Sequence, residues 1–402
     1  MRSSAGFEPR SGSAAPRLSA TLAKVSFALF EELPSLERRV ARVALGEFPT
    51  PVDSLSAVSR DLGSRGEAWV KRDDVSSPVY GGNKVRTLEL LFGEARSLGR
   101  QTLLATGAFG SNHALAVALH APRAGFEPKA LLFPQHASVA AYTNLAALSW
   151  TGARLHALPH WSALPLGMAW FKHGPHAPYV MAPGGATPLG ALGYVSAGLE
   201  LGQQIAAGQL PVPKRIIVGV GSTCTSAGLL VGLALAAHFQ RGFTAQTQPW
   251  LTSVRVSPWP VTSRFRVLGL ALRTARLLHE LSDRAVPLFS GAALGARFEI
   301  DGGYLGPGYG APSAAGSEAE ALWRRCGLPA LDGTYSAKAA ARVVAALRAA
   351  EPGPLLFWST KSSVPLPEPN RAHEGERVAR VSSHILAWLT RAERSLEVPA
   401  ER

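Results

Sequence analysis

The chain has 402 residues, 47% of them hydrophobic, enough for one large or two modest cores, and its 40 glycines and 30 prolines argue against a helical bundle. Its two cysteines, Cys224 and Cys326, exclude a disulfide framework and a cysteine-rich zinc site, so we expect a reducing, cytoplasmic setting. The net charge of +13 comes with scattered arginines and no nucleic-acid motif, and no apolar stretch reaches the roughly 20 residues that span a bilayer, so we expect neither a nucleic acid nor a membrane as partner.

The start of the chain is rich in serine, alanine and arginine, and we interpret residues 1–22 as a disordered tail. An organelle transit segment and a start codon placed too early are the alternatives. We assign residues 396–402 to a second tail.

Apolar runs alternate with helical patterns between the two tails, after an extended segment at Pro49–Val52. The predicted strands, in chain order, are Trp69–Arg72, Gln101–Thr106, Lys129–Phe133, Ala153–Leu158, Arg215–Val220 and Val254–Ser257. The predicted helices are Arg86–Gly99, Ala114–Ala121, Asn144–Thr151, Gly190–Gly208 and one that ends at His238.

This alternation predicts an α/β protein built on parallel sheets. We expect two lobes with a ligand cleft between them. The larger lobe is assigned to residues 23–95 and 201–395, and the smaller lobe to residues 96–200.

Lys84 is the most informative residue of the chain. It follows Tyr80-Gly-Gly-Asn and precedes an apolar helical stretch, and it is one of only eight lysines. Arginine carries charge but cannot form an imine, so a lysine in a Gly-Gly-Asn turn suits a Schiff-base lysine. A surface lysine near a turn is the alternative, and three later segments favour the first interpretation.

The segment Gly219–Gly228 lies between a predicted strand and a predicted helix. Its small residues let the backbone approach an anion, and the helix N-terminus supplies free N–H groups, so we expect a bound phosphate. The segment matches neither the P-loop nor the dinucleotide pattern. An ordinary tight turn is the alternative.

Two further segments carry polar groups. In Gly110-Ser-Asn-His113, Ser111 and Asn112 are expected to donate to a substrate carboxylate or a cofactor oxygen, which is compatible with a helix-capping role. Tyr309 lies in the glycine-rich segment Asp301–Gly310, and Tyr335 lies in Leu331–Lys338, which leads into a predicted helix. Both are acid–base candidates if burial or a cation tunes them, with turn packing as the alternative.

Metal binding is not expected. His156 and His160 are four residues apart, as metal ligands on a helix are, but Pro159 interrupts the spacing and no third ligand is evident.

Six segments in this order resemble the 1-aminocyclopropane-1-carboxylate (ACC) deaminase / D-cysteine desulfhydrase family over about residues 49–363. The segments are Tyr80–Lys84, Gly110–His113, Pro183–Tyr194, Gly219–Ser226, Gly306–Gly310 and Asp332–Lys338. The resemblance implies a pyridoxal-phosphate enzyme of the tryptophan synthase β-like fold (fold type II), in which each lobe is a twisted, mostly parallel sheet flanked by helices. It also implies a small amino-acid substrate and a homodimer.

The resemblance also implies a role for each candidate residue. Lys84 would hold pyridoxal 5′-phosphate and move the α-proton, and Ser336 would be the partner of the pyridine nitrogen. The expected catalytic residues are Lys84, Ser111, Tyr309 and Tyr335. The expected cofactor-binding residues are Lys84, Asn112, Gly221, Ser222, Thr223, Cys224, Thr225 and Ser336. The substrate carboxylate would contact Ser111, Asn112 and His113.

Ser336 bears on the reaction. The resemblance implies that the deaminases of the family that open the cyclopropane ring have glutamate at this position. A hydroxyl suits a neutral pyridine, so we expect β-elimination from a small amino acid, D-cysteine desulfhydrase-like, giving pyruvate, ammonia and sulfide. ACC deamination, β-replacement and dehydration are the nearest alternatives. A non-catalytic cofactor- or metabolite-binding relative and a nucleic-acid-associated protein are alternatives of other classes.

Two departures from the family pattern stand out. Thr223-Cys224 replaces two glycines of the phosphate loop, and the loop must distort if either position needs a positive φ. Ser359-Thr-Lys-Ser362 replaces a His-Thr-Gly-Gly-like strand end.

Overall fold

The protein is described by a computed structural model that covers residues 27–174, 176–366, 368 and 371–396. The predicted tail 1–22 lies outside the described residues, as does all but Leu396 of the predicted tail 396–402.

Strands and helices alternate along the chain. The strands are β1 Val52–Ser54, β2 Ala68–Arg72, β3 Thr102–Ala108, β4 Glu127–Phe133, β5 Arg154–Ala157, β6 Tyr179–Val180, β7 Arg215–Val220, β8 Trp250–Arg255, β9 Phe298–Asp301 and β10 Leu355–Ser359. The helices are α1 Ala28–Glu32, α2 Ser56–Asp61, α3 Asn83–Ser97, α4 Asn112–His120, α5 Val139–Ser149, α6 Leu164–Phe171, α7 Pro188–Ala206, α8 Cys224–His238, α9 Arg264–Leu281, α10 Gly291–Gly295, α11 Ala314–Arg325, α12 Ser336–Arg348, α13 Glu374–Arg380 and α14 Ser383–Ser395. Short 3₁₀ turns lie at Pro34–Arg38, Asp73–Val75, Pro122–Ala124, Trp161–Ala163, Pro183–Gly185 and Arg371–His373.

The strands form two sheets. The larger has six strands in the order β1-β2-β10-β7-β8-β9, and only β1 is antiparallel to its neighbour. The smaller has four parallel strands in the order β5-β4-β3-β6. The predicted α/β class with mostly parallel sheets is therefore confirmed. Helices cover both faces, which explains why central strands such as β7 read as continuous apolar runs.

Three hydrophobic clusters hold the layers together. One joins α7, α8 and α9 to one face of the larger sheet, and a second joins α11 and α12 to its other face. The third packs α3, α4 and α5 against the smaller sheet. Strand ends and helix starts from both lobes thereby meet in the cleft between the sheets, the usual place for a ligand in such folds.

Several boundaries differ from the predictions. Helix α3 begins at Asn83, so Lys84 lies in its first turn rather than before it. Strand β8 is Trp250–Arg255, earlier than the predicted Val254–Ser257, because its pairing with β7 starts at Trp250. Helix α7 crosses the predicted lobe boundary at residue 200 and packs in the larger core.

The C-terminal helix corrects the lobe assignment. Ile385, Trp388 and Leu389 of α14 are buried in the cluster of the smaller sheet, although 201–395 was assigned to the larger lobe. An amphipathic pattern gives the buried face of a helix but not the sheet that covers it. Within the described part of the chain, no helix has the length and apolar composition needed to cross a membrane.

Candidate active site

A cavity of about 600 Å³ opens between the two sheets and brings most of the predicted site residues together. The predicted residues that line it are Lys84, Ser111, Asn112, His113, Gly221, Ser222, Thr223, Thr225, Tyr309 and Tyr335. No aspartate or glutamate of the described residues lines this cavity. Its wall is therefore suited to anionic ligands.

Lys84 is presented to the cavity by two glycine turns. Helix α3 starts after Gly82, whose φ of 93° favours glycine. Gly184 has a φ of 66°, and a Cβ there would lie 2.3 Å from Ser222 Cβ. Its carbonyl oxygen accepts a hydrogen bond from Lys84 Nζ at 3.3 Å. Burial lowers the pKa of the Lys84 ammonium, which increases the share of neutral, nucleophilic amine.

A buried ion network fixes the turn that carries Lys84. Arg86 donates to both carboxylate oxygens of Asp73, at 2.8 and 3.0 Å, and to both of Glu200, at 2.8 Å each. Lys71 Nζ lies 2.5 Å from Glu200 Oε1. Burial opposes ionisation of Asp73, but Arg86 nevertheless lowers its pKa to about 2. We call Lys71, Asp73, Arg86 and Glu200 the buried ion network.

The predicted phosphate loop lies where β7 ends and α8 begins. Helix α8 has no side-chain cap, so its first N–H groups are available to an anion. Asn83 Nδ2 donates to Thr225 Oγ1 at 2.9 Å, which ties this loop to the turn of Lys84. Thr223 has a φ of 73°, in the left-handed region, so the distortion expected from its replacement of glycine is present.

Cys224 differs from the other predicted residues of this loop. Its side chain does not line the cavity, since Sγ donates to Gly185 O at 3.4 Å and lies 3.9 Å from Thr87 Oγ1. Burial raises the pKa of the thiol, which keeps it protonated. Only the backbone of Cys224 is therefore placed to contact a phosphate.

The Ser111–His113 segment combines capping with donor groups. Ser111 is the N-cap of α4 and accepts from Ala114 N at 3.2 Å. Asn112 Oδ1 accepts from Asn144 Nδ2 at 2.7 Å and from the Tyr80 hydroxyl at 3.1 Å. These bonds leave Asn112 Nδ2 as a donor for a ligand oxygen.

His113 is neutral at physiological pH. Burial, with a smaller effect from Lys84, lowers its pKa to about 3. Both ring nitrogens are buried without a hydrogen-bond partner among the described residues. A neutral histidine offers one donor and one acceptor to a ligand but no charge.

Tyr309 and Tyr335 form a hydroxyl pair. Their oxygens are 2.7 Å apart, and both rings line the cavity. Burial raises the pKa of Tyr309 and raises that of Tyr335 well above its usual value. Both hydroxyls therefore keep their protons at neutral pH and can act as proton donors.

Ser336 lies beside the cavity rather than in its wall. It is buried at the start of α12 and lines a small adjoining cavity that also contacts Asp332. Its Oγ has no partner among the described residues, so it can still accept one. The predicted contact of Ser336 with a pyridine nitrogen stays a prediction.

Two residues of the site were missed from the sequence, Tyr80 and Lys361. Lys361 Nζ donates to the Tyr80 hydroxyl at 2.5 Å, and both residues line the cavity. Tyr80 belongs to the same short motif as Lys84, and Lys361 replaces a glycine of the family pattern. These two signals were available, but neither shows that residues 281 positions apart make contact.

Comparisons with known proteins identify the family. The family described as "Pyridoxal-phosphate dependent enzyme" matches residues 43–353. A nocardicin C-9′ epimerase from Nocardia uniformis subsp. tsuyamanensis is 35% identical over 332 residues, covering 80% of this chain and 93% of the relative. A D-cysteine desulfhydrase from Salmonella choleraesuis is 32% identical over 342 residues, covering 80% and 94%.

A solved structure shows the same fold. An ACC deaminase homologue superposes with a TM-score of 0.65 at 24% identity, covering 87% of this chain and 99% of the other. The fold is thus that of the fold type II pyridoxal-phosphate enzymes.

The cavity fits the cofactor of these enzymes. Lys84 supplies an amine, the start of α8 supplies uncapped N–H groups, and His113 supplies unpartnered ring nitrogens. In pyridoxal phosphate, the aldehyde suits the Lys84 amine, and the phosphate suits the N–H groups of α8. The polar ring substituents suit the ring nitrogens of His113.

Proposed function

The chain belongs to the ACC deaminase / D-cysteine desulfhydrase family of pyridoxal-phosphate enzymes, and within it we propose a lyase that removes a β-leaving group from a small amino acid. D-Cysteine is the proposed substrate, with pyruvate, ammonia and hydrogen sulfide as products and one water consumed. The observation that carries this proposal is Lys84, a half-buried amine beside an uncapped helix N-terminus, in a cavity that no carboxylate of the described residues lines.

Lys84 Nζ has two proposed tasks. It holds the cofactor covalently, and it removes the proton from the α-carbon of the substrate. Both tasks need a neutral amine, which the lowered pKa favours. The cofactor, when bound, supplies the electron sink for the carbanion at that carbon.

The tyrosine pair is proposed to assist the leaving group. Breaking the Cβ–S bond releases a thiolate, and protonation by a hydroxyl makes it a better leaving group. Tyr309 and Tyr335 keep their protons at neutral pH and line the cavity. The hydroxyl of Ser336, in place of a carboxylate, supports elimination over ring opening.

Epimerisation at the α-carbon is the second candidate, because the Nocardia relative is an epimerase with 35% identity over 80% of this chain. Both reactions begin with removal of the α-proton. They differ in whether a β-group leaves. The homodimer and the cytoplasmic location expected from the sequence stay predictions.

A substrate panel tests the proposal. The protein, purified with pyridoxal phosphate, is offered D-cysteine, L-cysteine, D-serine and ACC, and keto acid and sulfide are measured. We expect sulfide and pyruvate in equal amounts from D-cysteine and none with Lys84→Ala. Ring opening of ACC as fast as sulfide release would contradict the proposed reaction. Deuterium uptake from D₂O with inversion and without keto acid would instead support the epimerase.

A further inference from the structure

Lys361 occupies a position in the cavity wall that the proposed chemistry does not use. It follows β10 in the segment Ser359–Ser362 and lines the cavity that holds Lys84. Its Nζ donates to the Tyr80 hydroxyl at 2.5 Å and to Asn144 Oδ1 at 3.4 Å. The same Nζ lies 4.9 Å from the centroid of the Tyr80 ring.

These contacts place Lys361 on the Asn112 side of the cavity. Tyr80 and Asn144, its two hydrogen-bond partners, both donate to Asn112 Oδ1. Tyr80 and Asn144 therefore each bridge the Lys361 ammonium and Asn112 through hydrogen bonds. An ammonium has three N–H donors, so these contacts leave one for a ligand.

Lys361 forms no salt bridge with a carboxylate of the described residues. None lines the cavity that holds Lys84, whereas Asp332 lines two smaller cavities that Lys361 also borders. An ammonium in such a wall attracts an anion more strongly than one in water does.

The other cations of the cavity have separate places. Arg266 lies in the first turn of α9, four residues after Thr262, whose hydroxyl donates to Gly221 O of the phosphate loop at 2.9 Å. Arg266 is therefore on the phosphate side. Lys84 is committed to the cofactor, and His113 is neutral. Lys361 is left as the cation on the side of Ser111–His113.

We propose that the Lys361 ammonium is the counter-ion of the α-carboxylate of the substrate, with Ser111 and Asn112 supplying neutral donors around it. The inference rests on the proposed function in that the substrate is an amino acid. It makes Lys361 a specificity-determining residue, which selects amino acids over amines, amides and esters of the same side chain.

A binding comparison tests this assignment without turnover. D-Alanine has no leaving group, and D-alaninamide differs from it by lacking the carboxylate. Each is titrated calorimetrically into the cofactor-loaded wild type, Lys361→Met and Lys361→Arg. The alanine-to-alaninamide ratio within each protein is then compared, which cancels intrinsic differences between the two ligands.

We expect wild type to favour D-alanine and Lys361→Met to lose roughly 10- to 100-fold of that preference, the size of a hydrogen bond to a charged group. Lys361→Arg should keep most of it. Lys214→Met is the matched control, since Lys214 is exposed and precedes β7, at the end of the strand away from the cavity. If the methionine variant is unstable, Lys361→Gln replaces it.

An unchanged ratio in Lys361→Met, or equal binding of both ligands by wild type, would overturn the assignment. A purely structural role would weaken both ligands equally and leave the ratio unchanged. A wild type that binds D-alanine selectively but eliminates nothing from D-cysteine would disprove the proposed reaction, while the ratio would still decide the role of Lys361.

Discussion

Two groups of charged side chains flank the first turn of α3. In one group each charge is paired with an opposite charge, and in the other the cations have no such partner among the described residues. In the buried ion network, two cations meet two carboxylates, and each charge has a partner within 3.0 Å. In the cavity, Lys84, Arg266 and Lys361 face a wall without carboxylates among the described residues. The paired group fixes the backbone, and the unpaired group is left to bind anions. Lys84 and Arg86, two residues apart, connect the two.

Removing a charge from the paired group should have the largest effect on stability. Arg86 is 1% exposed, and Arg86→Met leaves the buried carboxylates of Asp73 and Glu200 with Lys71 as the one remaining cation of the buried ion network. We expect a loss of about 3–5 kcal/mol in the free energy of unfolding, the usual cost of breaking a buried pair from one side. Urea unfolding measures it.

The matched control is an exposed pair. Arg325 is 59% exposed and lies 3.0 Å from Asp61, so Arg325→Met should change the free energy of unfolding far less than Arg86→Met does. Equal losses in the two variants would show that the buried network does not hold α3 in place.

The pH dependence of the free energy of unfolding tests the cavity side of this comparison. His113 lies in the cavity and stays neutral there. The folded pKa of about 3 is below the unfolded value of roughly 6.5, so the unfolded chain binds the extra proton between these values. The stability that this group contributes is complete well above pH 6.5 and falls as the solution becomes more acidic. The loss approaches about 1.4 kcal/mol per pH unit between the two pKa values and stops below the lower one.

His113→Gln removes this titration. Between pH 6 and pH 4 the free energy of unfolding of this variant should fall less steeply than that of wild type. The difference between the two slopes should correspond to the uptake of about one proton on unfolding. If the two plots of the free energy of unfolding against pH are parallel, the imidazole of the folded protein takes up its proton as readily as that of the unfolded chain.

The sequence predicted the part of the site that local pattern encodes. Lys84, Ser111 and Gly221 lie in short motifs beside a strand or a helix start, so their neighbourhood fixes them. The contact between Tyr80 and Lys361 and the packing of α14 on the smaller sheet depend on residues far apart in the chain. The role of Arg86 was missed because a charged residue in a helical pattern reads as solvent-facing.

The smallest expected effect concerns the phosphate loop. Thr223 has a φ of 73°, so Thr223→Gly should relieve backbone strain and stabilise the protein by about 1 kcal/mol. Ser222→Gly is the control, since Ser222 does not have a positive φ and glycine there should be neutral or destabilising. A destabilised Thr223→Gly would show that the threonine side chain, rather than the strain, decides the energy of this loop.

The absorption spectrum with pyridoxal phosphate tests the central claim, that Lys84 is the lysine that holds the cofactor. Wild type, Lys84→Ala and Lys361→Ala are compared, since both lysines face the cavity. We predict a band at roughly 410–420 nm, typical of lysine-bound pyridoxal phosphate, in wild type and Lys361→Ala and its loss in Lys84→Ala. A band that persists in Lys84→Ala, or that is absent from wild type, would contradict the account.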